Sequence, residues 1–289
     1  MTRQISILSG KGGAGKTSVT AALIKMMDAV VAVDADVNAS NLPLLLTPER
    51  QTNNDYFGMD IASIADVKCT DCGACIAVCR FDAIARNASG RVEIASDCEG
   101  CATCAHVCPE QAITLVPRKG GEWYLSSIAN GFLVHADLIP GEDNSGKLIT
   151  KVRNQASAVA KEQQIPYIVI DGPPGTSCQA ISSITGADLV LAVVEESLSG
   201  LSDYRRLAEL VKKFSIPHFV LINKSGFNQE IMQQIEATAN EFAGTIIGRI
   251  PFDQDIPRAL QDLQALSDMD TYRPVIAEAL ATLLQSLED

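Results

Sequence analysis

Residues Gly10 to Thr17 read GKGGAGKT. They follow the apolar run Ile5 to Leu8 directly and open a helical pattern that continues to Met27. The stretch satisfies G-x-x-x-x-G-K-[ST] in the strand, loop and helix context that a phosphate-binding loop requires. Glycines let the backbone curl so that successive N–H groups and the helix N-terminus face phosphates. Within Gly10, Lys11, Gly12, Gly13, Ala14, Gly15, Lys16, Thr17 and Ser18, Lys16 is placed to reach the β- and γ-phosphates and Thr17 to ligate magnesium. ATP and Mg2+ are the cofactors expected. A glycine-rich turn without nucleotide is the alternative, and the flanking elements disfavour it.

Outward from this loop the chain alternates strands and helices. Apolar runs near 4–9, 30–34, 167–171, 188–194, 217–223 and 245–250 predict a mostly parallel sheet covered by helices on both faces. Val30 to Val33 leads into VDADVNASNL, so Asp34 and Asp36 stand at the C-terminal end of a strand, the ligand edge of such sheets. Tyr167 to Ile170 likewise delivers Asp171 into DGPPGTS. Solvated turn carboxylates are the plainer alternative for all three. The 289 residues, 47% of them apolar, supply a full core.

Eight of the nine cysteines fall into two runs. Cys69, Cys72, Cys75 and Cys79, and then Cys98, Cys101, Cys104 and Cys108, are each spaced C-x2-C-x2-C-x3-C. In that spacing three thiolates close around one iron-sulfur cube, and the fourth ligates the other. Cys69, Cys72, Cys75 and Cys108 are thus expected to hold one [4Fe-4S] cluster, and Cys98, Cys101, Cys104 and Cys79 the second. The flanks repeat as well: CTDCGACIAVCRFDAI from Cys69 returns 29 positions later as CEGCATCAHVCPEQAI from Cys98. Pro109 follows the second run, whereas Arg80 follows the first. Structural zinc or a disulfide framework are the alternatives, and zinc has no use for so dense a triplet. The predicted organisation is a nucleotide-binding domain in two parts, 1–58 and 118–289, interrupted at 59–117 by an α+β two-cluster module.

Net charge is −12, which argues against nucleic acid as a partner, because phosphate backbones need basic patches. Tyr272 to Leu287 carries apolar residues at helical spacing with Arg273 its sole basic residue. It lacks the basic face of a membrane-surface helix, so packing on the sheet is expected and stable membrane association is not. With no leader or long apolar run seen, the cysteines are expected in a reducing, cytoplasmic setting. His106, His135 and His218 show no ligand spacing.

Lys11 extends the loop to KGGxGKT, and here the chain resembles the deviant Walker A group of P-loop ATPases: MinD and ParA partitioning proteins, Mrp-type scaffolds and the nitrogenase iron protein. The resemblance covers nearly the whole length and includes MinD-superfamily ATPases with an inserted bacterial ferredoxin-like domain. The chain shares with these an ENSGK-like stretch, Asp143 to Lys147, and the GPPGTSC segment. It implies that Lys11 acts in trans, on the nucleotide of a partner in an ATP-assembled homodimer. It makes the stretch after Val33 switch I, with Asp36 orienting the attacking water and Asp34 supporting the magnesium shell. Asp171 becomes the Walker B carboxylate, Gly172 to Gly175 the switch II sensor of the γ-phosphate, and Asn223 with Lys224 an adenine contact beside Ile250 to Asp253.

The function expected is a Mg-ATP-dependent ATPase whose nucleotide state gates electron transfer through the clusters to a redox or cofactor-assembly protein partner. Two alternatives are a scaffold that assembles or delivers a metal-sulfur cofactor, and a MinD/ParA-like positioning switch that senses redox state. Cys178, seven residues after Asp171, is read as a small core hydrophobe at a helix start, a cargo ligand or a redox thiol.

Overall fold

The computed structural model describes residues 2–95, 97–142 and 145–288. It divides into two compact units, residues 1–54, 122–140 and 145–289 forming one and residues 55–121 with 141–144 the other.

The strands are β1 (Arg3–Ser9), β2 (Val30–Asp34), β3 (Glu49–Ile64), β4 (Ile84–Arg86), β5 (Val92–Ile94), β6 (Ile113–Ile128), β7 (Gly131–Leu138), β8 (Tyr167–Pro174), β9 (Leu189–Glu195), β10 (His218–Ser225) and β11 (Thr245–Pro251). Nine of them form one sheet in the order β11-β10-β9-β1-β8-β2-β7-β6-β3. β1 pairs in parallel with β8 and β9, β2 with β8 and β7, and β10 with β9 and β11. Burial on both faces explains why β2 is Val-Val-Ala-Val-Asp without alternation.

Successive strand residues serve opposite cores, as a period of two requires. Ile5, Ile7, Leu191 and Val193 join a cluster with Leu23 of α1 (Lys16–Met26) and Ile276, Leu280 and Leu283 of α10 (Arg273–Glu288). Leu8, Val190, Ala192 and Val194 join another with Ile184 of α6 (Cys178–Ile184), Leu207 of α7 (Leu198–Lys213) and Ile235 of α8 (Gln229–Glu241). The C-terminal helix therefore packs on the sheet, as its apolar spacing predicts. Among the described residues no helix is long and apolar enough to cross a membrane.

Three strands of the sheet, β3, β6 and β7, lie outside the sequence expectation. The first residues of β3, Glu49 to Asn53, are exposed and polar, so they show no apolar alternation. β7 does carry a buried run, Leu133 to Ala136, but His135 interrupts it.

In the second unit, the five-residue helices α3 (Ala74–Val78) and α4 (Thr103–Val107) accompany the antiparallel pair β4–β5. The sequence repeat is also a backbone repeat. Left-handed residues recur at the same offset: Asp71 and Gly100, Gly73 and Ala102, Asp82 and Gln111. Gly100 is obligatory, since a Cβ there would come within 2.1 Å of the Asp60 carbonyl oxygen. The core of this unit includes Cys75, Cys98 and Cys104 beside Ala62, Ile84, Val92 and Ile113.

Candidate functional site

The phosphate-binding loop lies at the C-terminal end of β1, where the glycines do specific work. Gly13 and Gly15 have φ of 79° and 93°, and a Cβ on Gly15 would sit 2.1 Å from Asn223 Nδ2. That amide donates to the Ala14 carbonyl at 2.8 Å, and Lys224 Nζ donates to the Gly13 carbonyl at 2.8 Å. The loop is thereby tied to the end of β10. Gly12 to Ser18 line one side of a cavity of about 690 Å³, which Asp36, Asn38, Asn41, Asn223 and Lys224 also line. Its apolar part is formed by Pro251, Phe252, Ile256, Pro257, Leu260 and Leu266. A cavity that pairs backbone donors with an apolar wall suits a nucleotide, phosphates at one end and base at the other.

Register places the charged residues. Asp171 pairs with Ile7 of β1 and with Asp34 of β2, at the level where the loop begins. Lys16 Nζ donates to Asp171 Oδ1 at 2.8 Å, and Thr17 Oγ1 donates to Oδ2 at 2.7 Å. Thr20 Oγ1 lies 2.8 Å from Oδ1. Asp171 thus gathers the two residues expected to meet the terminal phosphates and the metal.

Asp34 braces rather than faces the cavity. One of its oxygens accepts from the Asp36 N–H at 3.0 Å, the other from Ser40 Oγ at 2.9 Å and the Leu42 N–H at 3.0 Å. Both oxygens are engaged in holding the loop that carries Asp36. Burial first, and then the negative charge of Asp171, push its carboxyl up to about 7. Asp36, half-buried in the cavity wall, is also raised by burial, with Lys16 opposing. Neither Asp34 nor Asp36 is a solvated turn carboxylate.

Lys11 and Gly10 lie away from the cavity lining. Lys11 Nζ donates to Ser199 Oγ at 2.8 Å and pairs with Glu195 Oε2 at 3.3 Å, while Gly10 packs against Asp203. Cys178 begins α6 and is exposed, which excludes the reading as a core hydrophobe. Asp143 and Asn144 of the ENSGK-like stretch lie outside the described residues. Glu196, which no motif marks, has a buried carboxylate that accepts the N–H groups of Gly226, Phe227 and Asn228. This fixes the loop whose Phe227 ring stands 5.0 Å from that of Phe252 on the apolar wall. Its signal was the second acidic residue, Glu196, directly after Glu195 at the end of an apolar strand.

The second unit contains two small cavities whose linings cross the sequence runs. One is lined by Cys69, Cys72, Cys75 and Cys108, the other by Cys98, Cys101, Cys104 and Cys79. Cys75 and Cys104 are buried, and burial raises both thiols. Cys72 and Cys101 are exposed. The Ala62 N–H points to Cys98 Sγ at 3.4 Å and the Ala112 N–H to Cys108 Sγ at 3.3 Å. Among the described residues no three His, Cys, Asp or Glu side chains gather closely enough for one metal ion. A four-iron cube puts each thiolate on a different iron, so its ligands stand farther apart than those of a single ion. Four thiol donors around each cavity fit such a group.

Residues 5–266 match the family described as the CobQ/CobB/MinD/ParA nucleotide binding domain. An uncharacterized protein of Methanocaldococcus jannaschii is 32% identical, with 99% of this chain and 96% of that protein covered. The iron-sulfur cluster carrier protein of the same organism is 25% identical over 91% of this chain and 79% of its own length. Among solved structures, the septum site-determining protein MinD of Pyrococcus horikoshii, complexed with Mg-ADP, superposes with a TM-score of 0.57 at 20% identity, covering 100% of this chain and 98% of that one. The mostly parallel sheet is therefore the MinD fold, and the chain belongs to the CobQ/CobB/MinD/ParA family of P-loop ATPases.

Proposed function

We propose that this protein is a Mg-ATP-dependent, dimerising ATPase whose nucleotide state gates one-electron transfer through two [4Fe-4S] clusters in an inserted ferredoxin-like domain. The observation that carries this reading is the crossed lining of the two cysteine cavities in a chain that also carries a complete phosphate-binding loop. Cys69, Cys72, Cys75 and Cys108 would hold one cluster, and Cys98, Cys101, Cys104 and Cys79 the other. When bound, such groups accept and release single electrons.

The protein's own residues do the nucleotide chemistry. Lys16, now paired with Asp171, would hold the β- and γ-phosphates, and Thr17 and Asp171, now bonded to each other, would hold magnesium, Asp171 through water. Asp36 orients the attacking water, with Asp34 fixing the loop that presents it. Lys11 reaches the nucleotide of a partner subunit when ATP assembles the dimer. Asn223 holds the loop against the base side of the cavity.

A second reading, an ATPase that assembles or delivers a metal-sulfur cofactor, is favoured by the similarity to an iron-sulfur cluster carrier protein and by the exposure of Cys178. Anaerobic purification with iron and sulfide analysis tests the reading. About eight irons and eight sulfides per chain are expected, and zinc in their place overturns the reading. Metal lost from Cys178→Ser but retained on the eight other cysteines would select the second one.

A further inference from the structure

The two cysteine sets are duplicates in backbone, yet the groups beside their sulfurs differ in charge. Asp71 Oδ1 lies 3.8 Å from Cys69 Sγ. The equivalent position in the second set is Gly100, which brings no charge. Conversely, Thr103 Oγ1 lies 3.4 Å from Cys101 Sγ, where its hydroxyl can donate to a thiolate. The equivalent position beside Cys72 is Ala74, which brings no donor.

Charges farther from the sulfurs run the other way: Lys68 precedes Cys69 where Asp97 precedes Cys98, and Arg86 donates to the Asp71 carbonyl at 2.7 Å, so the contrast is carried by the two side chains that lie against sulfur. Arg91 Nε stands 3.8 Å from the far oxygen of Asp71 and so offsets part of its charge from farther away. Exposed Glu110 and exposed Glu99 line one cavity each and balance. Arg80, directly after Cys79, is matched by the uncharged Pro109 after Cys108. Each set also receives one backbone N–H, from Ala112 and from Ala62. Cys98 is more buried than Cys69, which acts in the opposite sense.

A negative charge beside a ligand sulfur disfavours adding an electron, and a hydrogen bond to the sulfur favours it. We infer that the two sets hold clusters of unequal potential, Asp71 making the Cys69, Cys72, Cys75 and Cys108 set the harder to reduce and Thr103 making the Cys79, Cys98, Cys101 and Cys104 set the easier. An electron supplied by a low-potential one-electron donor then comes to rest at the second set, with no bond made or broken and no proton moved. The inference rests on the proposal that both sets bind [4Fe-4S] clusters.

The test is a dithionite redox titration of the whole chain followed by electron paramagnetic resonance, on samples whose iron has first been counted. The unsubstituted protein should show two one-electron steps. Asp71→Asn, which keeps an acceptor for the Val92 N–H now bonded to the carboxylate at 2.8 Å, should raise the lower step and leave the upper in place. Thr103→Ala should lower the upper step alone, and Thr103→Ser should restore it. Each shift is expected to be several-fold in the reduction equilibrium, where tenfold is about 59 mV for one electron. An incomplete iron content in the unsubstituted protein overturns the loading proposal and this inference with it. Full iron with coincident steps, or with either variant moving the wrong step or none, overturns the inequality alone.

Discussion

Lys16 Nζ and Asp171 Oδ1 form an ion pair at 2.8 Å with side-chain exposures of 6% and 1%. The residue expected on the terminal phosphates and the residue expected to support magnesium are thus held by each other, with Thr17 and Thr20 completing the carboxylate's contacts. Lys16→Ala leaves Asp171 buried without its cation, a loss of about 3 to 5 kcal/mol for a broken buried pair. The two hydroxyls that remain place it toward the lower end. Denaturant unfolding without nucleotide should show that loss, and equilibrium binding should show ATP affinity abolished.

Asp36 lies in the cavity wall and forms no ion pair among the described residues, Lys16 being paired with Asp171, so its removal should act on turnover rather than affinity. Asp36→Ala is expected to bind Mg-ATP about as well as the unsubstituted protein and to hydrolyse it about 10² to 10⁴ times more slowly. Single-turnover hydrolysis beside equilibrium binding separates the two effects. Equal loss of binding and turnover would remove Asp36 from the water-orienting role.

Lys11 must leave Glu195 to act on a partner's nucleotide. The pair is partly exposed, 30% and 21%, so its rupture opposes dimerisation by no more than about 1 kcal/mol. Lys11→Ala should therefore keep monomer ATP binding and lose ATP-driven dimerisation, as read by light scattering. A variant that dimerises normally would place Lys11 outside the trans role.

Gly15→Ala combines a left-handed backbone with a clash against Asn223 Nδ2. Strain of about 1 to 3 kcal/mol should appear in unfolding, and nucleotide binding should fail because Asn223 can no longer hold the loop. Asn223→Ala should weaken binding with a smaller cost to stability.

Buried His135 has its imidazole pushed down to about 4, by burial first. A histidine held neutral in the folded state contributes stability that is whole above its ordinary value of 6.5 and is lost as pH falls from there toward 4. The loss at pH 4 is on the order of 3 kcal/mol. His135→Gln should flatten the fall in unfolding free energy across that window, and an unchanged slope would contradict the assignment.

What the sequence made legible was whatever one short stretch determines. The loop and the strands that deliver Asp34 and Asp171 are fixed by local spacing, so the structure meets them directly. Contacts between distant segments were not legible. Nothing near Lys11 announces Glu195, nothing near Gly15 announces Asn223, and Glu196 acts on a loop 30 residues farther on. Asp34 reads as a ligand from its strand-end position, and only the folded loop shows both oxygens committed to Asp36, Ser40 and Leu42. β3 escaped because its polar, exposed first half has no apolar period, and β7 because His135 breaks its buried run.

The central claim is that nucleotide state and cluster state are coupled within one chain. Linkage is reciprocal, so a potential shifted by ATP requires an ATP affinity shifted by reduction. The decisive measurement is the redox titration repeated with and without Mg-ATP in Asp36→Ala, which holds the nucleotide unhydrolysed. The account predicts a shift equivalent to about 1 to 3 kcal/mol, matched by an equal change in ATP affinity between oxidised and reduced protein. Identical potentials with and without ATP, together with identical affinities in both redox states, would contradict it.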